Sequence, residues 1–190
     1  MKKLMKKIRF IIITFILTTF NYSCESIDST QPVNSFETIQ IQNHLIDWER
    51  SKQHALAILD AMPEDMLNFK PTEEVRSFSF DLKHIISSVY AMMSMALDIE
   101  SPDVDVELLS SKSELSQALS NCYDWVISSL KEYDISKNSE KIKYFETFEL
   151  TRDRAIFKIY EHQAHHKSKA IANMRIAGAI PPGYGPFLFD

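Results

Sequence analysis

Apolar residues fall along this chain in stretches of helical period, separated by polar segments that carry prolines. From about Ser35 to Met62, the positions Leu45, Trp48, Lys52, Ala55, Leu59 and Met62 recur at alternating spacings of three and four. That period predicts a helix with one mostly apolar stripe, which Pro63 ends. The connection "PEDMLNFKPTEEVRS" follows, and its Met66, Leu67 and Phe69 are expected to cover one end of a core. A second helix is predicted from about Ser79 to Ile99, where "FDLKHIISSVYAMMSMAL" is apolar nearly all round. Such a helix is buried on more than one side. After the acidic break "ESPDVDVELL", Ser111 followed three residues later by Glu114 forms a capping box. Leu115, Leu119, Cys122, Val126 and Ser129 then hold helical spacing to about Tyr133, and the polar "DISKNSEK" closes the segment. The fourth helix is predicted from about Thr147 to Ala177, with Gly178 placed as a left-handed cap and Pro181 and Pro182 barring continuation. The aromatic tail "PPGYGPFLFD" is expected to pack back onto the helices. No segment reads convincingly as a strand and no repeat is present. The pattern predicts an all-α four-helix bundle over residues 35–190. Connections of about 12 residues exceed what a tight up-down bundle needs, so at least one long crossover is expected.

Composition supports helices. Only three glycines occur in 190 residues, too few for a protein built on tight strand turns. The length suits one domain. The N-terminus stands apart from it. "MKKLMKKIRF" has five basic and no acidic residues, and "FIIITFILTTF" is an apolar run too short to cross a bilayer comfortably. Together they predict a signal peptide over residues 1–23, then a polar tether over 24–34. A cysteine directly behind the apolar run, in Asn21-Tyr22-Ser23-Cys24, resembles the lipobox of bacterial lipoproteins, although Asn21 and Tyr22 are not its usual residues. The resemblance implies cleavage before Cys24 and lipidation of its thiol; the alternative is an uncleaved N-terminal anchor. Either arrangement places the domain outside the cytoplasm and on a membrane. A lipidated Cys24 leaves Cys122 without an intramolecular partner, and its place on an apolar stripe predicts a buried, inert thiol.

Losing residues 1–23 leaves 16 basic against 26 acidic residues, a net charge of −10. So acidic a domain is a poor match for nucleic acid, whose binding depends on neutralising phosphates.

The candidate chemistry lies in "YEHQAHHKSK", where three of the six histidines fall within residues 162–166. His162 and His166 are four apart, about 40° around a helix, and share their side with Ala155, Ile159, Ala170 and Ala177. This small, apolar face should look into the bundle. His165 points about 100° away from His166 and is a bystander. Two inward histidines at this spacing can grip one metal ion, or can form a polar pair in the core or on the surface. A third ligand candidate is His84 on the second helix, beside Ser88, Ala91 and Met95. A lone histidine on an apolar face is commonly a hydrogen-bonded core residue. Three buried imidazoles must satisfy six nitrogens, however, and converging on one ion satisfies three at once. His44 and His54 lie off the clearest stripe of the first helix and read as surface residues. Asp153 and Glu161 share the fourth helix, but point roughly 180° and 100° from His162 and read as solvated carboxylates.

The segment "LIDWERSKQHALAILDAMPEDMLNFKPTEEVRSFSFDLKHI" resembles the opening of the DinB-like superfamily of four-helix metalloproteins, and "HQAHHKSKAIANMRIAGAIPPGYG" resembles that family's H-x-x-x-H helix and its exit. The resemblance spans about residues 36–187. It implies a four-helix bundle with a long crossover, and metal ligands at His84, His162 and His166. The implied cofactor is a divalent metal ion, usually zinc or nickel, with one position open to water or substrate. Many relatives read H-H-R-G-Q where this chain has His165-His166-Lys167-Ser168-Lys169, so contacts made there in relatives do not transfer. The implied activity is that of an exported metal-dependent hydrolase or thiol transferase acting on a small-molecule electrophile. The alternative is a lipid-anchored, non-catalytic bundle that binds a ligand or protein around a structural metal. A homodimer is compatible with either.

Overall fold

The structure, a computed structural model, describes residues 36–188. The expected signal peptide, the tether and Cys24 lie outside the described residues. Four helices pack as a bundle: α1 (Phe36–Ala61), α2 (Phe78–Leu97), α3 (Lys112–Glu132) and α4 (Arg152–Ile176). The long sides in contact are α1 with α3 and α2 with α4, while α2 also meets α3 and α1 meets α4 more lightly. Helices consecutive in sequence, α1 and α2, then α3 and α4, therefore stand on the diagonals. Both intervening connections cross an end of the bundle, which explains their length.

α2 is the most buried helix because it faces two neighbours at once. Phe78, Leu82, Ile85, Ile86 and Met93 are fully buried along it. Trp48 of α1 fills the space between Tyr123 of α3 and Tyr160 of α4, with ring centroids 5.7 and 5.6 Å away. In the connection after α1, Leu67 is buried and Met66 and Phe69 pack against the core.

The helix ends follow the sequence signals. Ser111 and Glu114 form the reciprocal capping box of α3. Ser77 caps α2 by accepting from the Phe80 amide at 3.2 Å, and Thr151 caps α4 by accepting from the Arg154 amide at 3.3 Å. Past α4, Gly178 adopts φ +85°, its amide donates to the Arg175 carbonyl, and the Ala179 amide donates to Met174. That pair of bonds closes the last turn and needs a residue without a side-chain penalty at positive φ.

One expectation is corrected. Between α3 and α4 the chain forms a two-stranded antiparallel hairpin, β1 (Lys141–Tyr144) and β2 (Phe148–Thr151), with Ile142 opposite Leu150 and Tyr144 opposite Phe148. α4 accordingly starts at Arg152, not near Thr147. Phe145 and Glu146 make the turn at φ 52° and 56°. Those angles are normally supplied by Asn-Gly or Asp-Gly, whose absence removed the signal. The hairpin packs on α2 and α4: Tyr144 is buried, and Arg152 at the start of α4 donates to the Ala96 carbonyl of α2 at 2.8 Å and pairs with Glu140, just before β1, at 2.9 Å.

Candidate metal centre

The packing of α2 along α4 brings three histidines to one place. His84 comes from the middle of α2, and His162 and His166 come from successive turns of α4. One nitrogen from each lies within 4.8 Å of the others. The ring centroids are 4.4 Å apart for His84 and His166, 4.7 Å for His162 and His166, and 5.3 Å for His84 and His162. His166 is buried, whereas His84 and His162 are half-buried, so the group has a solvent-facing side. Among the described residues it is the one group of three or more His, Cys, Asp or Glu side chains placed to hold a metal ion.

Each ring is oriented by a neighbour. Asp81, one turn before His84 on α2 and fully buried, lies 2.8 Å from Nδ1 of His166. This hydrogen bond fixes the proton on Nδ1 and leaves Nε2 as the free nitrogen, the arrangement found behind metal-bound histidines. Ser88, one turn after His84, places its hydroxyl 3.4 Å from Nδ1 of His162. Phe80 lies parallel to the His84 ring at 6.2 Å.

The electrostatics favour neutral imidazoles. Burial, then the neighbouring His166 and His84, push the pKa of His162 down to about 4. Burial and then His166 lower that of His84. Burial also lowers that of His166, against the opposing hydrogen bond from Asp81. Neutral imidazole is the form that binds a metal. The second carboxylate oxygen of Asp81 is buried without a hydrogen-bond partner, and no Lys or Arg pairs with Asp81 among the described residues. Three neutral imidazoles beside a carboxylate that lacks a cation make a donor set that fits a divalent ion. These residues could hold a metal ion.

His165 is exposed and is not one of the three converging histidines, although its ring meets that of His166 edge-on at 5.0 Å. Glu161 is exposed and pairs with Lys158, while Asp153 accepts a hydrogen bond from Gln40 and faces His44 at 3.7 Å. Neither carboxylate touches the triad. His44 and His54 correct the sequence reading. His44 is half-buried, and His54 is only 4% exposed, because Tyr184 and Phe187 of the C-terminal tail lie over its ring. A helical wheel of α1 cannot show a cover supplied by a segment about 130 residues away.

Two buried charged residues beside the triad, Asp81 and Lys167, were not singled out from the sequence as part of a site. Asp81 carried a signal, an acidic residue inside an apolar helix three positions before His84. Lys167 carried none, since a lysine after His166 looks like an ordinary surface residue. It is 6% exposed, and Nζ donates to the Ser51 hydroxyl at 2.6 Å. That hydroxyl donates in turn to Gln163 Oε1 at 2.8 Å, which also accepts from Tyr123 at 3.0 Å. Burial without a carboxylate partner brings the pKa of Lys167 down to about 7.

Asp81→Asn should weaken metal binding about 10- to 100-fold while leaving the helical circular dichroism unchanged. Titration against a competing chelator measures this, and undiminished affinity would remove Asp81 from the site. Lys167 gives a pH prediction. Its folded pKa of about 7 lies below the ordinary 10.5, so the unfolded chain binds more protons between these values and stability rises with pH across them. Lys167→Met should therefore stabilise the protein at pH 6 by on the order of 2–4 kcal/mol, a gain that fades towards pH 10.5. Urea unfolding at both ends of that window reads the difference.

Comparison with known proteins agrees with this architecture. The fold is similar to the crystal structure of a DinB-like protein from Bacillus cereus ATCC 10987, with a TM-score of 0.66 at 17% identity, covering 75% of this chain and 95% of that one. It is likewise similar to the DinB-like protein YjoA of Bacillus subtilis, with a TM-score of 0.62 at 15% identity, covering 75% and 97%. No curated protein matches the chain. The family model of the DinB superfamily matches residues 47–169, which include all three histidines and Asp81. The chain belongs to the DinB superfamily.

Proposed function

We propose that this protein is an exported metal-dependent enzyme whose centre is His84, His162 and His166, acting as a hydrolase or thiol transferase on a small-molecule electrophile. The observation that carries this is the three-histidine group itself, with a solvent-facing side and no fourth protein ligand among the described residues. Catalytic zinc sites keep three protein ligands and one open position, whereas structural sites fill all four. A divalent ion held there, zinc or nickel, supplies Lewis acidity that activates water or a thiol at neutral pH. The chain's own residues do the rest. Asp81 holds His166 in one tautomer, Ser88 steadies His162, and the apolar faces of α2 and α4 keep the rings neutral. The half-exposed edges of His84 and His162 admit a small molecule.

Export and membrane attachment belong to the same proposal. They rest on the basic and apolar N-terminal segments followed by Cys24. Among the described residues no helix is long and apolar enough to cross a membrane.

Metal analysis of the protein beginning at residue 25 tests the centre. Wild type should carry about one equivalent of metal, and each of His84→Ala, His162→Ala and His166→Ala should lose most of it. Equal metal content in all four proteins would sink the site. A catalytic centre further requires that His84→Ala remain folded while losing turnover; if the variant unfolds instead, the metal is structural. Lipidation is read from radiolabelled fatty acid, which should label the full chain and not Cys24→Ser. Label on both forms would overturn the anchor.

A further inference from the structure

The flank of α4 opposite the metal centre is built for binding as well. Lys167 lies about 100° around the α4 axis from His166 and faces α1, not α2. Between α1, α4 and the C-terminal tail is a cleft of about 330 Å³, lined by Tyr160, Lys167, Ile171 and Arg175 of α4, His54 of α1 and Tyr184 of the tail. Its size falls within the range of small-molecule sites.

Three observations concern the polar groups of this cleft. No Asp or Glu lines it, although acidic residues outnumber basic ones in the chain, 26 to 21. Lys167 is buried with only Ser51 as its hydrogen-bond partner, and Arg175 forms no ion pair with any described residue. Both ring nitrogens of His54 are buried without a hydrogen-bond partner, and the ring packs against Phe187 at 4.8 Å and Tyr184 at 4.9 Å. Beyond the lining, one acidic and one basic residue of α1, Asp47 and Arg50, lie close enough to act on Tyr160.

Buried polar groups in folded proteins are normally satisfied, and a group that is not calls for an absent partner. Two long cationic side chains about two turns apart on one helix, with no counter-ion, favour an anion whose oxygens can accept from both. A buried histidine edge supplies a further neutral donor or acceptor. Tyr160, Ile171 and Tyr184 give the cleft apolar walls.

We propose that this cleft is a second ligand site, separate from the metal centre, that takes a small molecule bearing an oxyanion. Lys167 and Arg175 hold the carboxylate or phosphate group, His54 meets a polar substituent, and the tail bearing Tyr184 and Phe187 forms one wall. The site does not depend on the metal reading, because none of its lining residues belongs to the triad.

Calorimetric titration with inorganic phosphate and with benzoate tests it, using wild type and the variants Arg175→Gln, Lys167→Met and His162→Ala. Arg175 is exposed, and Lys167→Met removes a buried cation, so neither change threatens the fold. At least one probe should bind wild type with a Kd of about 1 mM or tighter. Arg175→Gln and Lys167→Met should each weaken that binding about tenfold, as loss of a charge-assisted bond does. His162→Ala should leave it within about twofold. The stronger of the two probes names the anionic group. Absence of binding by both probes, binding unchanged in both cation variants, or binding lost in His162→Ala would each overturn the second site.

Discussion

A buried carboxylate faces a buried imidazole where α2 crosses α4: Asp81 lies 2.8 Å from His166, and both are almost wholly removed from water. Everything at the candidate centre depends on this contact. It fixes the rotation of α4 against α2, because a carboxylate that lost this partner inside the bundle would cost several kcal/mol. With that rotation set, His162 one turn earlier and His84 one turn after Asp81 have no freedom to face elsewhere. The apolar residues of α2 hold the helices together, but they would tolerate small shifts that the hydrogen bond does not.

α4 divides its chemistry by flank. One side presents His162 and His166 to His84 of α2, kept neutral by burial; the other presents Lys167, held by Ser51 within a network that reaches Gln163 and Tyr123. Burying the Lys167 cation on one side of α4 and the Asp81 carboxylate of α2 against the other opposes stability, and neither has a partner of full opposite charge. Such groups are retained where something outside the folded chain completes them, which is why perturbed titratable groups concentrate at functional sites. On the α2 side the missing charge is positive, and on the α1 side it is negative.

Much of this was legible in the chain. His162, His166 and His84 can be picked out because helical period places residues four apart on one face, and because their neighbours are small and apolar. The capping box at Ser111 and the cap at Gly178 are local, so residues a few positions apart suffice to predict them. Cys122 reads as an inert thiol from its stripe, and in the structure burial drives its pKa far up. His54 and Lys167 were not legible, since their burial comes from segments far away in sequence. The hairpin was missed because Phe145 and Glu146 carry the turn where glycine or asparagine would have announced it.

The sequence by itself determined where α2 and α3 start and stop and where α1 and α4 end, which face of each is apolar, and which histidines share a face. Those properties follow from interactions within a turn or two of helix, where neighbouring residues settle the energetics. The tertiary structure alone decided that α1 and α2 stand on a diagonal, that Asp81 closes on His166, and that the tail seals His54 above Lys167. Each of these is a contact between residues far apart in the chain, fixed by how four apolar faces pack at once. No single helix carries that information.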